Sequence, residues 1–253
     1  MGRLSGKRIF LTGAAQGIGY AIAEACLRED AKLFLVDRDA DLLKGSASRL
    51  GEVPHAAADI VDRASIAAAM AAAASAIGPI NALINNAGVN VFSTPLDATD
   101  DEWARNLDVN VKGAWNCSRA ALPALIENGG GVILNIASTH AFTIIPHTFP
   151  YPVAKHALIG LTRSLALEYA GDGVRVNALA PGYVATRKVI DCWDSFDDPA
   201  AARAKTLALH PGGRIATPEE IAMAALFLVS DECPFINAAC LVADGGLSVL
   251  HHP

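Results

Sequence analysis

Short apolar runs alternate with longer amphipathic or alanine-rich segments along most of the chain. The short runs predict buried strands and the amphipathic segments predict helices. Strands are expected at residues 7–11, 32–36, 53–58, 81–84, 131–136, 174–179 and 239–242. Helices are expected at residues 18–28, 40–50, 63–77, 100–127, 151–169 and 218–230, with Pro123 as a kink in the fourth. This alternation predicts an α/β fold, in which a doubly wound parallel sheet is covered by helices on both faces.

No linker divides the 253 residues into two units. A single domain over residues 1–253 is therefore expected, because α/β folds of this length are commonly one domain. Residues 182–216 show no clear periodicity. A segment of that length inside a compact domain is usually functional, so we expect a substrate lid there, with short helices in it.

Composition and charge exclude several classes of protein. Hydrophobic residues make up 52% of the chain and charged residues 18%, a balance typical of a compact globular protein. The net charge of −6 and the lack of a lysine or arginine run give no indication of nucleic-acid binding. No apolar run reaches the roughly 18 residues that would span a membrane, and residues 1–7 do not form a signal peptide.

The cysteines also argue against a fold held together by disulfide bonds or by a bound metal. They are scattered, odd in number and without a C-x-x-C pair, at Cys26, Cys117, Cys192, Cys233 and Cys240. Disulfides and zinc sites are therefore not expected, nor is any other metal site. A reducing cytoplasm is the simplest location for such a chain.

A glycine-rich turn joins the first predicted strand to the first predicted helix. Glycines permit a tight turn and a close approach of the backbone to a pyrophosphate, and the following helix N-terminus attracts the anion. The position between a strand and a helix near the N-terminus favours dinucleotide binding over an ordinary turn. The residues that we expect to contact the cofactor here are Gly13, Gln16, Gly17, Ile18 and Gly19.

An aspartate ends the second predicted strand and bears on the choice of cofactor. Asp37 follows Gly19 by 18 residues, where a carboxylate can bind the adenosine ribose hydroxyls. It also repels a 2′-phosphate, which favours NAD over NADP. Arg38 complicates this preference, because a guanidinium can stack on adenine or bind a 2′-phosphate.

Several motifs then follow one another in a fixed order. They are Thr12-Gly13-x-x-x-Gly17-x-Gly19, Asp59, Asn85-Asn86-Ala87-Gly88, Asn110, Ser138, Tyr151-x-x-x-Lys155 and Pro181-Gly182. By these motifs the chain resembles the short-chain dehydrogenase/reductase family over essentially its whole length. Any one of them is ordinary, whereas the set in this order is specific.

The resemblance implies a Rossmann-like sheet of seven strands and assigns further cofactor contacts. It implies that Asp59 and Ile60 contact adenine and that the Asn86-Ala87-Gly88 turn lines the cofactor groove. It further implies that the loop from Pro181 and Gly182 holds the nicotinamide carboxamide through the Val184 backbone and the Thr186 hydroxyl. Thr186 has an alternative role as a simple turn or helix-cap residue.

Tyr151 and Lys155 are the candidate catalytic pair. At positions i and i+4 they project from one face of a helix, and Pro152 suits that helix's first turn. A tyrosine has a pKa of about 10, and a neighbouring ammonium is expected to lower it. Tyr151 would then exchange a proton with a substrate hydroxyl or carbonyl as hydride moves to or from the nicotinamide. The resemblance adds a hydrogen bond from Lys155 to the nicotinamide ribose.

Two more residues complete the catalytic set. Ser138 ends the fifth predicted strand, and its hydroxyl can bind the reacting oxygen. The resemblance implies that Asn110 holds a water that links Lys155 to solvent. Ala154 and Pro152 depart from residues that are common in the family, but neither change removes a catalytic group.

The substrate is less well specified by the sequence. Candidate contacts, besides Ser138 and Tyr151, are Asn90, His140, His147, Arg187 and Trp193, with Lys188, Phe142, Ile144, Ile145 and Phe149 beside them. Polar groups with aromatic walls suit a sugar or polyol, although each histidine and the tryptophan can equally serve the loop structure. The run from His147 to His156 resembles bacterial aldose 1-dehydrogenases of this family, which form lactones.

Two alternatives stay open. One is a carbonyl reductase of the 3-oxoacyl carrier-protein type, against which Asp37 and the acidic net charge argue. The other is a non-catalytic nucleotide-binding regulatory protein, a class that usually lacks the tyrosine or the lysine of the site.

Assembly is inferred from the resemblance. The helices at 100–127 and 151–169 and the strand region ending Asp244-Gly245-Gly246 resemble family interfaces, which predicts a homotetramer. Residues 248–253 are expected near a neighbour's lid.

Overall fold

A seven-stranded parallel sheet lies at the centre of the protein, in a computed structural model that describes residues 2–250. Its strands stand in the order β3-β2-β1-β4-β6-β8-β9. They are β1 Arg8–Thr12, β2 Lys32–Asp37, β3 His55–Ala57, β4 Ala82–Asn85, β6 Gly131–Ile136, β8 Val174–Pro181 and β9 Cys240–Ala243. The seven predicted strands are confirmed, with shifts of one or two residues at their ends. Residues 251–253, part of the tail expected near a neighbour's lid, lie outside the described residues.

Helices cover both faces of the sheet. They are α1 Gly17–Arg28, α2 Ala40–Arg49, α3 Arg63–Ile77, α4 Asp100–Leu107, α5 Gly113–Glu127, α6 Tyr151–Glu168, α7 Arg187–Asp194, α8 Pro199–Ala208 and α9 Pro218–Val229. Helices α1, α2 and α9 pack into one apolar cluster and α3 and α5 into another. The strands alternate between these clusters, because Ile9 and Leu11 face the first and Phe10 faces the second, where it stacks on Phe34 at 5.9 Å. The three-layer prediction is therefore confirmed.

The long helix predicted at 100–127 needs a correction. Its ends are right, but a π-helical turn over Asp108–Lys112 separates α4 from α5. α5 continues through Pro123 as one helix, so the proline does not end it, and the kink expected there stays a prediction. The break in the regular α-helix falls at Asn110, and π-turns of this kind often occur at functional sites.

Two short features were not predicted from periodicity. Strands β5 Phe92–Ser93 and β7 Phe149–Pro150 form a small antiparallel sheet, and each is too short to give a pattern.

Helices α7 and α8 lie inside segment 182–216, where short helices were expected. Among residues 2–250, no helix combines the length and apolar character needed to cross a bilayer.

The turn between β1 and α1 packs tightly against the end of β4. Gly13 has a φ of +64°, and a Cβ on it would lie 2.8 Å from the Ala87 Cα. A Cβ on Gly19 would lie 2.0 Å from the Gly13 carbonyl oxygen. Since backbone atoms surround both sites, no side chain can move aside to accommodate the extra atom.

A pair of glycine substitutions tests this packing. We expect Gly19→Ala to lower the free energy of unfolding by about 1–3 kcal/mol, because the added methyl overlaps the Gly13 carbonyl. Gly45→Ala is the matched control, since a Cβ at that position in α2 meets nothing within 4 Å. The control should be neutral or more stable by up to about 1 kcal/mol. Equal urea-unfolding midpoints for the two variants would contradict the packing described.

Candidate active site

The site lies at the carboxyl edge of the sheet, where ligands bind in open α/β folds. Strands β1 and β4 are neighbours there, and the chain crosses to opposite sides of the sheet from this point. The first strand ends at Thr12, the second at Asp37 and the fourth at Asn85, all at this edge of the sheet. The sheet order therefore brings together the sequence motifs that were predicted to bind the cofactor.

The glycine turn offers a cradle that suits a pyrophosphate. Helix α1 opens at Gly17, and Gln16 at its N-cap makes no side-chain cap bond. The first amide N–H groups of a helix lack intrahelical partners, so they are available to an anion. A Cβ on Gly17 would lie 3.4 Å from the Thr186 methyl, which places the turn opposite the loop after β8. Ile18 and Gly19 continue the first turn of α1.

Asp37 is oriented by the backbone at the head of the groove. Its carboxylate accepts hydrogen bonds from the Ala15 and Asp39 N–H groups, both at 3.2 Å. The carboxylate is partly exposed, and Ala15 belongs to the glycine turn. The charge therefore lies beside the end of the phosphate cradle, where an adenosine ribose would lie in a fold of this type.

Asn86 joins the end of β4 to the glycine turn. Its side-chain Nδ2 donates to the carbonyls of Thr12 at 3.1 Å and Gly13 at 2.8 Å. In return the Thr12 hydroxyl accepts from the N–H groups of Asn86 and Ala87. Gly88 follows, and a Cβ there would lie 2.8 Å from Asn110 Oδ1 and 3.7 Å from Lys155 Nζ. This turn thus connects the phosphate cradle with the catalytic residues.

The predicted adenine contacts lie in the loop after β3. Asp59 bonds within its own turn and accepts from the Val61 N–H at 2.9 Å. Ile60 is buried, and a Cβ on Gly113 would meet its Cδ1 at 2.4 Å. Asn116 holds the loop through a 3.0 Å bond to the Ile60 carbonyl. The sequence reading missed Asn116, because a lone asparagine in a helix gives no signal of such a role.

The loop after β8 contacts Ala216, at the end of the predicted lid, and Asp244, just after β9. Pro181 ends the strand, and a Cβ on Gly182 would lie 2.8 Å from the Asp244 Cβ. Val184 is buried and forms a bridge with Ala216. Thr186 occupies the N-cap position of α7 but makes no side-chain cap bond. Its hydroxyl is therefore not used as a cap, and its methyl faces Gly17 across the groove.

The candidate catalytic pair lies on the first turns of α6. Tyr151 begins the helix with Pro152 in its first turn, as predicted. The Lys155 Nζ lies 5.5 Å from the centre of the Tyr151 ring and donates to the Ile136 carbonyl at 3.0 Å. Tyr151 is 9% exposed and Lys155 5%. Both polar groups are thus removed from bulk water and held side by side at the end of β6.

The pKa expected for Tyr151 needs a correction. Burial raises the pKa of Tyr151 to about 12, and its hydrogen bond with Ser138 only partly opposes that rise. The prediction that Lys155 brings this pKa below its ordinary value is therefore wrong for this structure. Burial also lowers the pKa of Lys155 to about 8. Desolvation dominates both shifts, because burial costs the charged form of each group much more hydration free energy than the neutral form.

Ser138 was expected to end the strand, but it lies two residues beyond β6, at the N-cap of a 3₁₀ turn over Thr139–Ala141. It is 9% exposed, and its hydroxyl accepts from the His140 N–H at 3.2 Å. A serine hydroxyl and a tyrosine phenol so placed can both reach one substrate oxygen.

Asn110 lies in the π-turn and is almost fully buried. Its Nδ2 donates to the Val89 carbonyl at 2.9 Å and to Asn106 Oδ1 at 3.0 Å. Its Oδ1 accepts from the Val89 N–H at 3.2 Å. The side chain is thus engaged in fixing the loop after β4, and the water-holding role drawn from the family resemblance stays a prediction.

One predicted substrate residue lies close to the catalytic tyrosine. The His140 ring meets the Tyr151 ring edge-on at 5.6 Å, and its buried Nδ1 has no hydrogen-bond partner. Burial lowers the pKa of His140, so the ring is neutral at pH 7. Phe92 packs on Tyr151 at 5.6 Å and faces His140 at 6.5 Å. Phe92 was missed, because its two-residue strand gives no pattern.

The other substrate candidates lie farther out. Asn90 and His147 are exposed. Arg187 is exposed and pairs with Asp191 at 2.6 Å, one turn along α7. Trp193 donates from its indole to the Thr206 hydroxyl at 3.1 Å, which joins α7 to α8. That bond gives Trp193 a role within the lid, as the alternative reading of lid tryptophans expected.

Comparisons with known proteins agree with this geometry. A family model described as Enoyl-(Acyl carrier protein) reductase matches residues 13–248. The chain is 40% identical over 252 residues to 2-(S)-hydroxypropyl-CoM dehydrogenase 3 of Xanthobacter autotrophicus, covering 98% of this chain and 99% of that one. It is 39% identical over 251 residues to galactitol 2-dehydrogenase (L-tagatose-forming) of Cereibacter sphaeroides, covering 98% and 97%.

A solved structure shares the fold over almost the entire chain. Levodione reductase superposes with a TM-score of 0.94 at 30% identity, covering 98% of this chain and 100% of the other. The chain belongs to the short-chain dehydrogenase/reductase family. Short-chain dehydrogenases/reductases use nicotinamide cofactors, and this relationship places the chain among oxidoreductases that act on CH–OH groups. Within residues 2–250 of this family member, no group of three or more histidine, cysteine or acidic side chains is arranged to hold a metal ion.

Burial of Lys155 lowers the free energy of unfolding of this short-chain dehydrogenase/reductase. Its pKa is about 8 in the folded chain and about 10.4 when unfolded, which disfavours the charged form by about 3 kcal/mol. The cost is fully present below pH 8 and disappears as pH rises towards 10.4. We therefore expect Lys155→Met to be more stable than the parent at pH 6, by about 1–3 kcal/mol after the lost Ile136 bond.

The difference in unfolding free energy between Lys155→Met and the parent is best measured across pH 6 to 10. It should shrink as pH rises, because the parent no longer carries a buried charge. Lys44→Met serves as control, since that side chain is exposed on α2. A difference between Lys155→Met and the parent that stays constant across this range would contradict the assigned burial cost.

Proposed function

We propose that the protein is an NAD-dependent dehydrogenase that transfers a hydride between a nicotinamide cofactor and a hydroxyl or carbonyl substrate, best represented by a sugar or polyol. The observation that carries the proposal is the buried group of Ser138, Tyr151 and Lys155 beside a glycine-lined groove. A phenol, a hydroxyl and an ammonium in one dry site suit proton transfer to or from a single oxygen.

The glycine turn supports dinucleotide binding through its backbone. Gly13 and Gly19 allow the turn to pack against the end of β4 and against itself, and the uncapped start of α1 would supply N–H groups to a pyrophosphate. Bound NAD+ would supply the hydride acceptor and a positive charge near the phenol. The groove would be completed by Asp59, Ile60, Asn86, Ala87, Gly88, Pro181, Gly182, Val184 and Thr186, as the family resemblance implies.

Tyr151 would exchange the proton with the substrate oxygen. With a pKa of about 12 it is protonated at neutral pH, so it is ready to donate to a carbonyl. In the oxidative direction, Lys155 would assist proton loss, because its ammonium favours the phenolate once water is excluded. Ser138 would bind the same substrate oxygen and hold it within reach of the phenol.

Asp37 supports NAD over NADP. The Ala15 and Asp39 amides hold its carboxylate in place, so it cannot turn away from a ribose without losing both bonds. A 2′-phosphate would meet this fixed negative charge at short range. Arg38 is exposed and offers the only argument in the other direction that the sequence raised.

A sugar or polyol substrate is supported by two observations. His140 brings a neutral, partly buried ring beside Tyr151, and Phe92 adds an apolar wall. One of the relatives is named for galactitol and another for a hydroxypropyl group, both of which carry alcohols. Asn90, His147, Arg187 and Trp193 stay predictions as contacts, with Trp193 already bonded inside the lid.

Three coarser features are proposed along with the activity. Segment 182–216 acts as the lid, because α7 and α8 stand beside the nicotinamide loop. A homotetramer is supported by large apolar side chains exposed on the helices named for the interfaces, among them Trp115, Ile126, Val153 and Leu167. The cytoplasmic location stays a prediction.

Substitution of the catalytic tyrosine tests the mechanism. We expect Tyr151→Phe to lose about 10²–10⁴-fold in kcat/KM for NAD reduction, because the proton-transfer group is removed. NADH binding, followed by its fluorescence, should stay within about twofold of the parent, since the dinucleotide groove is untouched. Tyr169→Phe, at the other end of α6, is the matched control.

The assay uses a panel of aldoses, polyols, hydroxy acids and acyl thioesters with NAD and NADP. Activity on several aldoses or polyols with NAD supports the proposal. Activity confined to acyl thioesters would instead favour the carrier-protein reductase, and NADH binding without any turnover would favour a regulatory role. Unchanged turnover in Tyr151→Phe would refute the mechanism itself.

A charge-only change at Asp37 tests the cofactor preference. Asp37→Asn keeps the shape of the side chain but removes its charge, so repulsion of a 2′-phosphate is relieved. We expect the preference for NADH over NADPH, measured as a ratio of dissociation constants, to fall by about tenfold, or about 1.4 kcal/mol. Asp41→Asn on the exposed face of α2 changes the net charge equally and should leave the ratio unchanged. Equal ratios in both variants would contradict the role of Asp37.

A further inference from the structure

A second asparagine lies between the proton-transfer helix and the π-turn. Asn106, near the end of α4, is 0% exposed. Its Nδ2 donates to the Pro150 carbonyl at 2.8 Å. Its side-chain oxygen and its backbone carbonyl both accept from Asn110 Nδ2 at 3.0 Å. All of these bonds therefore run to segments that form the catalytic site.

The Pro150 carbonyl is directly linked to the catalytic tyrosine. Pro150 and Tyr151 share one peptide group, which is planar. Fixing the carbonyl oxygen therefore fixes the plane from which the Tyr151 Cα departs. Pro150 also pairs with Phe92 across the small β5–β7 sheet, and Phe92 packs edge-on against the Tyr151 ring at 5.6 Å. The amide of Asn106 thus acts on Tyr151 along the backbone and along its packing partner.

Simple packing does not explain an amide at this position. Trp103, one turn earlier on α4, already stacks on Phe149 at 5.7 Å and docks β7 onto the helix. A buried amide costs free energy unless its hydrogen bonds are made, so an apolar residue would serve docking alone at least as well. The Asn106 amide adds directional hydrogen bonds, which fix the Pro150 carbonyl oxygen and the side-chain amide of Asn110.

We propose that Asn106 is a positioning residue that holds Asn110 and the peptide before Tyr151 in one fixed arrangement. This inference rests on the proposed function, since it acts through Tyr151 and Asn110. Asn106 has no exposed surface from which it could contact a substrate or cofactor. Its loss should therefore change the rate and pH dependence of proton transfer while leaving the dinucleotide groove intact.

The test compares Asn106→Leu with Asn177→Leu. Asn177 is also 0% exposed, donates to a carbonyl (Ile236) at 2.8 Å and accepts at 3.0 Å from the Ala239 N–H. The two substitutions remove similar buried hydrogen bonds, but those of Asn177 tie β8 to the segment before β9. Stability, NADH dissociation constant, kcat, KM and the pH profile of kcat are measured for both folded proteins, on the substrate found in the panel.

We expect both variants to lose similar stability and to bind NADH within about twofold of the parent. Asn106→Leu alone should lose roughly 10- to 100-fold in kcat, because small displacements of a catalytic group cost that much. It should also shift the midpoint of the kcat–pH profile, which a general loss of stability does not do. Equal kcat values and equal pH midpoints in the two leucine variants would overturn the proposal.

A second pair covers the case in which leucine prevents folding. Asn106→Ala and Asn177→Ala leave space for water to bond the freed groups, so the same comparison applies. If neither Asn106 variant folds while the Asn177 variants do, Asn106 is a determinant of folding and the proposal is overturned. Tyr151→Phe is assayed in parallel. Full activity there refutes the proposed function, whereas an inactive Tyr151→Phe beside an unimpaired Asn106→Leu refutes only the positioning role.

Discussion

The adjacency of β1 and β4 in the parallel sheet is the constraint on which the rest of the site depends. The Asn86 side chain ties the end of β4 to the carbonyls of Thr12 and Gly13, and the Thr12 hydroxyl receives two N–H groups in return. These hydrogen bonds fix the glycine turn, and they also place Gly88 close to Asn110 and Lys155. The proposed phosphate cradle and the proposed proton-transfer group are therefore positioned by one junction, because parallel strands end at the same edge of the sheet.

Burial disfavours the charged forms of the two residues that we propose to transfer the proton. Tyr151 and Lys155 lie almost out of reach of water, and burial shifts both pKa values against the charged forms. An environment that disfavours charge in the resting protein strengthens every later electrostatic interaction in the same site. The Ile136 carbonyl accepts from Lys155 and holds its ammonium in place, while Phe92 and His140 pack edge-on against the Tyr151 ring. Burial of these polar groups therefore lowers the stability of the folded state, and packing in the surrounding sheet and helices offsets that loss.

Much of the fold follows from the sequence, since buried strands and amphipathic helices of ordinary length leave clear patterns. The glycine turn, Asp37 and the Tyr151–Lys155 spacing were also predicted from the sequence to lie at one edge of the sheet, and the structure places them there. Phe92 and Asn106 were not, since a two-residue strand and a single buried amide have no periodic signature. The sign of the Tyr151 pKa shift was missed for another reason. It depends on how far the groups are desolvated, which spacing along a helix does not reveal.

In the proposed reaction, the groove, the buried phenol and the predicted lid all serve direct hydride transfer from a carbinol carbon. The most direct measurement follows a polyol or sugar oxidised by the protein, carrying deuterium on the carbinol carbon, into the NADH that forms. The account predicts one deuterium in each molecule of NADH, with slower turnover when the hydride step limits the rate. Unlabelled NADH, with the deuterium released to water, would contradict it.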